Sequence, residues 1–327
     1  MTYNYCTLFD SGYLSRGLAM YNSLKKNSKN FHLYIFPFDD KSLTTLKKMK
    51  LPNTTIIPLK EFEDEELLKV KPTRSKSEYC WTCANSTILY VLNNFNVDNC
   101  TYLDADLFFF SDPSVLVKEM EKNKGSVLLT KHHYHSDKPN KCGTYCVQFM
   151  TFKKDINGLN VLKWWRERCL EWCYARHEEG KFGDQKYLDD WPERFKGIYV
   201  LKNLGGSVAP WNLRNYEIFE KDKSPYIRNK KNQKEFKIVL YHFHHLKFLL
   251  KNYVDLGGYK LSRDIIKKIY NPYLNEMKKV NEDLKKIGID FDPNATLKKL
   301  TLKGYLRYFW RKINNRSNIY KVKELID

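Results

Sequence analysis

Two carboxylates stand at i and i+2 inside an apolar run, Thr101-Tyr-Leu-Asp104-Ala-Asp106-Leu-Phe-Phe-Phe110. In an extended segment this spacing puts both on one side of the backbone. The apolar flanks read as a strand that crosses a core and ends in a charged pair. Two acids left together are unfavourable unless a cation neutralises them. A hard divalent ion that itself holds a diphosphate is the economical partner, whereas a pair of solvated turn carboxylates is the plainer alternative.

Elements that would position such a pair recur along the first three quarters of the chain. Tyr3 to Phe9 predicts a strand ending in Asp10-Ser11-Gly12, followed by helical spacing from Leu14 to Lys26. Strands are expected at Phe31–Pro37 and from Thr54 to Leu59. This β-α-β opening implies a parallel sheet with crossover helices. A charged helix is expected from Glu61 to Lys71, and another from about Trp81 to Asn93. Asp112-Pro113 starts the helix after the acid pair. Further strands at Ser126–Thr130 and Cys146–Phe152 are joined by a His-rich loop. A long helix spans Asn160 to Arg176, Gly183-Asp184-Gln185 opens a short one, and Ile238–Phe243 is a late strand that carries His242. The fold class expected is α/β, with one domain over residues 1–255 and a helical, basic extension over 256–327.

Composition bounds the rest. The 327 residues contain 57 basic and 38 acidic side chains, a formal charge of +19, with 42% hydrophobic and 15% aromatic content. That balance suits phosphate-rich ligands, anionic membranes or nucleic acid. No run of eighteen apolar residues is present, and Met1-Thr-Tyr-Asn-Tyr-Cys lacks the basic and apolar regions of a secretory signal. Cytoplasmic location, with eight reduced cysteines, is the expectation. The spacings Cys80-x2-Cys83 and Cys169-x3-Cys173 fit zinc only loosely, and a buried stripe on the helix Leu162–Tyr174 accounts for the second. Residues 296–316 interleave Lys and Arg with Tyr305, Leu306, Phe309 and Trp310. Such a segment suits peripheral contact with an anionic membrane. A helix packed on its own domain with a solvated basic face is the competing reading.

Taken in order, the segments CTLFDSGYLSRGLAMYNSL, EYCWTCANSTILYVL, TYLDADLFFFSDP, FGDQKYLDDW, GGSVAPWN and LYHFHHLK make the chain resemble the GT-A nucleotide-sugar glycosyltransferases. The resemblance is closest to bacterial surface-polysaccharide enzymes allied to glycogenin and lipopolysaccharide galactosyltransferases. It covers residues 6 to 247 and implies a Rossmann-like, mostly parallel sheet flanked by helices. It further implies transfer of a hexose from a nucleotide sugar, UDP-linked, to a glycan or lipid-linked saccharide acceptor, with retention. Asp104 and Asp106 would bind Mn2+ or Mg2+, with His242 completing the metal shell and His244 as runner-up. Phe9, Asp10 and Tyr13 would cup the nucleotide, Arg74 and Lys247 would contact phosphate, and Asp184 and Gln185 would lie beside the anomeric carbon. Trp211 and Asn212 are candidates for the acceptor wall. The chain departs from the family pattern at Cys146 and Gln148, where relatives carry Asn and Gly, and at His245, where they carry Gly.

Three other classes compete. A sugar-1-phosphate nucleotidyltransferase would need a Gly-rich loop after the first strand, and Asp10-Ser11-Gly12-Tyr13 has one glycine. A polyanion binder is opposed by the embedded acids, and no specific nucleic-acid motif is present. A relative that binds a glycan without turnover is the third.

Overall fold

The computed structural model describes residues 2–135, 141–250, 252–314 and 316–326. Fifteen short strands among the described residues, numbered in chain order, carry the architecture. β1 (Tyr3–Phe9), β2 (Phe31–Pro37), β3 (Thr54–Ile56), β4 (Asn99–Leu103), β6 (Val127–Lys131), β7 (Tyr145–Lys153) and β8 (Ile198–Val200) form a seven-stranded sheet in the order β3-β2-β1-β4-β7-β6-β8. β1 pairs in parallel with both β2 and β4, while β7 runs antiparallel to β4 and β6. The chain leaves β1 toward β2 and returns on the other side as β4. A sheet that reverses its order in this way opens a crevice at the carboxyl ends of the strands, where α/β folds bind ligands.

The strands read as near-continuous hydrophobic runs because both faces of the sheet are covered. Along β1, Tyr5 and Phe9 join one core while Cys6 and Leu8 join the other. The helix Lys76–Asn94 packs against β1, β4 and the helix Ile156–Glu171 on one face. On the opposite face, the helix Leu14–Asn27 contacts β5 (Leu107–Phe109) and the helix Asn271–Lys286. Buried Trp165 and Trp191 pack edge-to-face at 5.7 Å beneath β7.

Smaller sheets finish the molecule. β9 (Tyr216–Lys221), β10 (Ser224–Asn229) and β11 (Glu235–Lys237) form a meander. β12 (Leu240–His242) runs antiparallel to β5, setting His242 opposite Leu107. β13 (Lys247–Leu249), β14 (Tyr253–Asp255) and β15 (Ile319–Lys321) form the last sheet.

Several boundaries differ from the sequence expectations for physical reasons. The helix expected near Trp81 begins at Lys76, because Ser75 and Glu78 close a reciprocal capping box. The expected helix Glu61–Lys71 is two pieces, Leu59–Phe62 and Glu65–Val70, since Asp64 starts a new helix by accepting the Leu67 N–H. Helix Ile156–Glu171 ends before Cys173, so the two cysteines do not share a helix; all eight thiols are free. The helix Asp40–Met49, capped by Asp39, was not expected.

The extension beyond residue 255 is not wholly helical and does not stand apart. β15 pairs with β14, and the helix Asn271–Lys286 buries Tyr273, Leu274, Met277, Val280 and Leu284. By contrast, the helix Leu302–Ile313 buries none of its side chains. No helix among the described residues is long and apolar enough to cross a membrane.

Candidate metal and nucleotide-sugar site

The acid pair sits where β4 stops and β5 begins. The Asp104 N–H donates to the Gln148 carbonyl at 3.0 Å, tying the turn to β7, and the Asp106 carbonyl accepts the Phe243 N–H at 2.9 Å. These backbone bonds hold the pair against the end of β12. His242 Nε2 lies 3.1 Å from Asp106 Oδ1 and 3.7 Å from Asp104 Oδ2. One ligand atom from each of the three residues falls within 4.8 Å of the others, the only such grouping among the described residues.

The electrostatics show three groups that share charge. Burial works to raise the Asp106 carboxyl, but the facing His242 charge and hydrogen bond hold it below the usual range. Asp104 is pushed up by burial and by Asp106, a rise that the His242 charge only partly offsets. The His242 imidazole stays protonated to higher pH than usual: Asp106 outweighs the opposing effect of burial. Without a cation the imidazolium neutralises the acids; a divalent metal would take over that task. Two carboxylate oxygens and one imidazole nitrogen suit a divalent cation. His244 is a neighbour but not a member of the trio, and burial plus the His242 charge depress its pKa to about 3.

The trio opens into a cleft of about 790 Å³ at the carboxyl ends of β1 and β4. Phe9, Asp10 and Tyr13 line its β1 side. Asp10 does two jobs there: Oδ1 accepts the Tyr13 N–H at 3.0 Å, capping the turn, and Oδ2 pairs with Lys76 at 2.5 Å. Tyr13 is 41% exposed, with the Arg16 guanidinium 4.4 Å from its ring centroid. Asp184 and Gln185 line the far wall. Asp184 does not cap the following turn, whose cap residue is Gln185. Burial and the Asp104 charge raise its carboxyl well above the usual range. Gly183 turns the chain at φ +52°, a left-handed conformation that suits glycine, beside Trp81.

Lys247 also reaches the cleft, following His245, which adopts φ +65°. The expected glycine conformation is therefore kept even though the residue is His. Trp211 lines the cleft, its rings 5.3 Å from His242 and 5.4 Å from His244, and its Nε1 donates to the His132 carbonyl. Asn212 is a buried brace instead, donating to the His132 and Ser207 carbonyls.

Arg74, like Asn212, lies outside the lining. Its guanidinium stacks over Tyr174 at 4.0 Å and donates to the Leu170 carbonyl. The cation the cleft receives is Lys76, two residues on. The capping motif Ser75-x-x-Glu78 was the signal that could have found it, by moving the helix start forward. His132, Tyr134 and Tyr259 also line the cleft without having been singled out. Tyr259 belongs to the extension, held there by Asn318, which donates to the Tyr259 and Gly257 carbonyls.

A mostly parallel sheet that delivers an Asp-x-Asp pair and a late histidine to one crevice is the arrangement of a GT-A glycosyltransferase. The chain belongs to glycosyl transferase family 8, whose profile matches residues 5–186, more than half of the sequence. It is similar to the uncharacterized protein YfnD of Bacillus subtilis (strain 168), at 30% identity over 89% of this chain and 93% of the relative. YfnF of the same organism is 34% identical over 68% of this chain and 76% of its own length. Among solved structures, the galactosyltransferase LgtC in complex with donor and acceptor sugar analogues shares the fold. It superposes with a TM-score of 0.52 and 12% identity, covering 86% of this chain and 99% of the other.

Proposed function

We propose that this enzyme moves a hexose from a UDP-linked sugar to a glycan or lipid-linked saccharide, with retention, using Mn2+ or Mg2+. The observation that carries the proposal is the trio of Asp104, Asp106 and His242 at the mouth of a cleft large enough for a nucleotide sugar. A bound metal would act as a Lewis acid on the leaving diphosphate. Phe9, Asp10 and Tyr13 would receive the nucleoside, while Lys76 and Lys247 supply positive charge toward the phosphates. Lys76 replaces Arg74 in this role. Asp184 and Gln185 would face the sugar. The raised carboxyl of Asp184 suits a group that donates a hydrogen bond to a hydroxyl or exchanges a proton with it.

The test is thermal melting with UDP, GDP and their hexose conjugates, each with and without Mn2+. UDP should stabilise the protein strongly only when the metal is present, since ligand binding raises melting by mass action. Equal stabilisation with and without metal, together with no turnover of any UDP-sugar, would eliminate the proposal.

The acceptor reading draws support from the helix Leu302–Ile313. Leu302, Tyr305, Leu306, Phe309, Trp310 and Ile313 recur at helical spacing and are each more than half exposed. Lys303, Arg307 and Lys312 share the helix. Apolar area flanked by cations matches an anionic lipid surface, where each added basic residue contributes about 1 kcal/mol. The protein is therefore expected to float with vesicles containing phosphatidylglycerol and not with neutral vesicles. Substituting Phe309→Glu and Trp310→Glu together should weaken that binding more than about tenfold, given roughly 1.5–3 kcal/mol per buried large side chain. Melting with UDP and Mn2+ should be unchanged. Flotation that survives both substitutions would remove the helix from this role.

A further inference from the structure

We infer that Gln148 is the positioning residue of the metal trio: its carboxamide fixes the His242 ring with Nδ1–H bonded and Nε2 facing the acids. The inference rests on the reading of Asp104, Asp106 and His242 as metal ligands.

Gln148 lies on β7, is 1% exposed, and touches two of the three ligands at once. Its backbone carbonyl accepts the Asp104 N–H at 3.0 Å. Its side-chain Oε1 lies 2.8 Å from His242 Nδ1. Its Nε2 donates, at 3.5 Å, to the Gly206 carbonyl. That last contact decides the polarity of the others. A carbonyl oxygen only accepts, so the amide nitrogen belongs on the Gly206 side and the amide oxygen faces the imidazole. An amide oxygen also only accepts, so Nδ1 must carry the hydrogen. The coordinating lone pair is then confined to Nε2, the nitrogen 3.1 Å from Asp106.

The aromatic neighbours of the ring cannot replace this constraint. Trp211 and His244 meet it edge-to-face. The Cys146 sulfur also hydrogen-bonds to the ring, so the Gln148 substitutions measure what the carboxamide adds to that contact. The backbone of His242 is held separately, by donation to the Val208 carbonyl. The carboxamide thus orients the ring from the Nδ1 side, opposite the Asp106 contact on Nε2. Partners of this kind raise the basicity of a ligating histidine, and their removal typically lowers metal affinity about 10–100-fold.

The experiment uses the full chain labelled with 15N-histidine, as wild type, Gln148→Leu, Gln148→Met and Gln148→Glu, with folding checked by melting. In the metal-free wild type, the Nδ1–H of His242 should exchange slowly with water. In Q148L and Q148M it should exchange fast, and Mn2+ affinity should fall about 10–100-fold. Q148E, which keeps an acceptor, should restore both. Slow exchange and wild-type Mn2+ affinity in a folded Q148L or Q148M would overturn the inference. Loss of the protected proton in those variants, from a wild type that binds no Mn2+, would uphold the orienting contact and overturn the metal reading instead.

Discussion

Replacing Asp106 with Asn is expected to lower Mn2+-dependent turnover by more than about a hundredfold, since loss of outer-shell partners alone costs 10–100-fold. Asp106 is the acid in closest contact with His242, and its carboxyl remains ionised because that imidazole faces it. An amide supplies a neutral oxygen in place of a charged one, and an N–H donor where a metal needs a lone pair. The metal-free variant also leaves a buried imidazolium without its nearest counter-charge, so His242 should give up its proton at lower pH. Initial rates against Mn2+ concentration, with melting in UDP and Mn2+, measure the effect. A variant that keeps wild-type metal dependence would take Asp106 out of the ligand set.

Asp184→Asn should produce a large loss of transfer with a gain in stability. General-acid or base groups and comparable polar contacts at a reacting centre are worth about 10²–10⁴ in rate. The stability effect follows from the raised carboxyl. In the unfolded chain Asp184 titrates near an ordinary aspartate, about 3.9. In the folded chain burial and the Asp104 charge keep it protonated to much higher pH. The folded state therefore holds this proton more tightly, and the stability it confers is complete in acid. It is lost as pH rises from the unfolded value through the folded one. The amide cannot ionise and escapes that loss. Metal-free wild type and D184N should melt together near pH 4, and the variant should melt higher at neutral pH. Parallel melting curves at every pH would show that the Asp184 carboxyl carries no such burden.

Much of this was legible in the sequence because the relevant signals are local. Periodicity located β1, β2, β4, β7 and the helix Leu14–Asn27, and two acids within an apolar run marked the crevice. The late histidine was legible only through resemblance: 136 residues separate His242 from Asp106, and no local pattern joins them. What joins them is the pairing of β12 with β5, a three-residue ladder too short to announce itself. Lys76 was missed because the helix start was placed at an apolar residue when the capping motif began six residues earlier. Gln148 looked like a defect in the pattern, since its use appears only once β7 and β12 are neighbours. At His245 sequence and geometry conflict: the backbone keeps a left-handed turn that costs a non-glycine residue on the order of 1 kcal/mol.

The buried guanidinium of Arg16 has a consequence for where the enzyme ends. Arg16 is 3% exposed, and its donors reach the carbonyls of Gly12, Leu246 and Asn294. Its neighbour Ser15 also binds Asn294. One cation thus staples the nucleotide-side turn, the loop behind the late histidine and a residue of the extension. Truncation at residue 255 would strip away an acceptor and leave a fixed charge facing a void. The minimal catalytic body consequently runs at least to Asn294, and the pairing of β15 with β14 and the Asn318 bonds to Gly257 and Tyr259 carry it further.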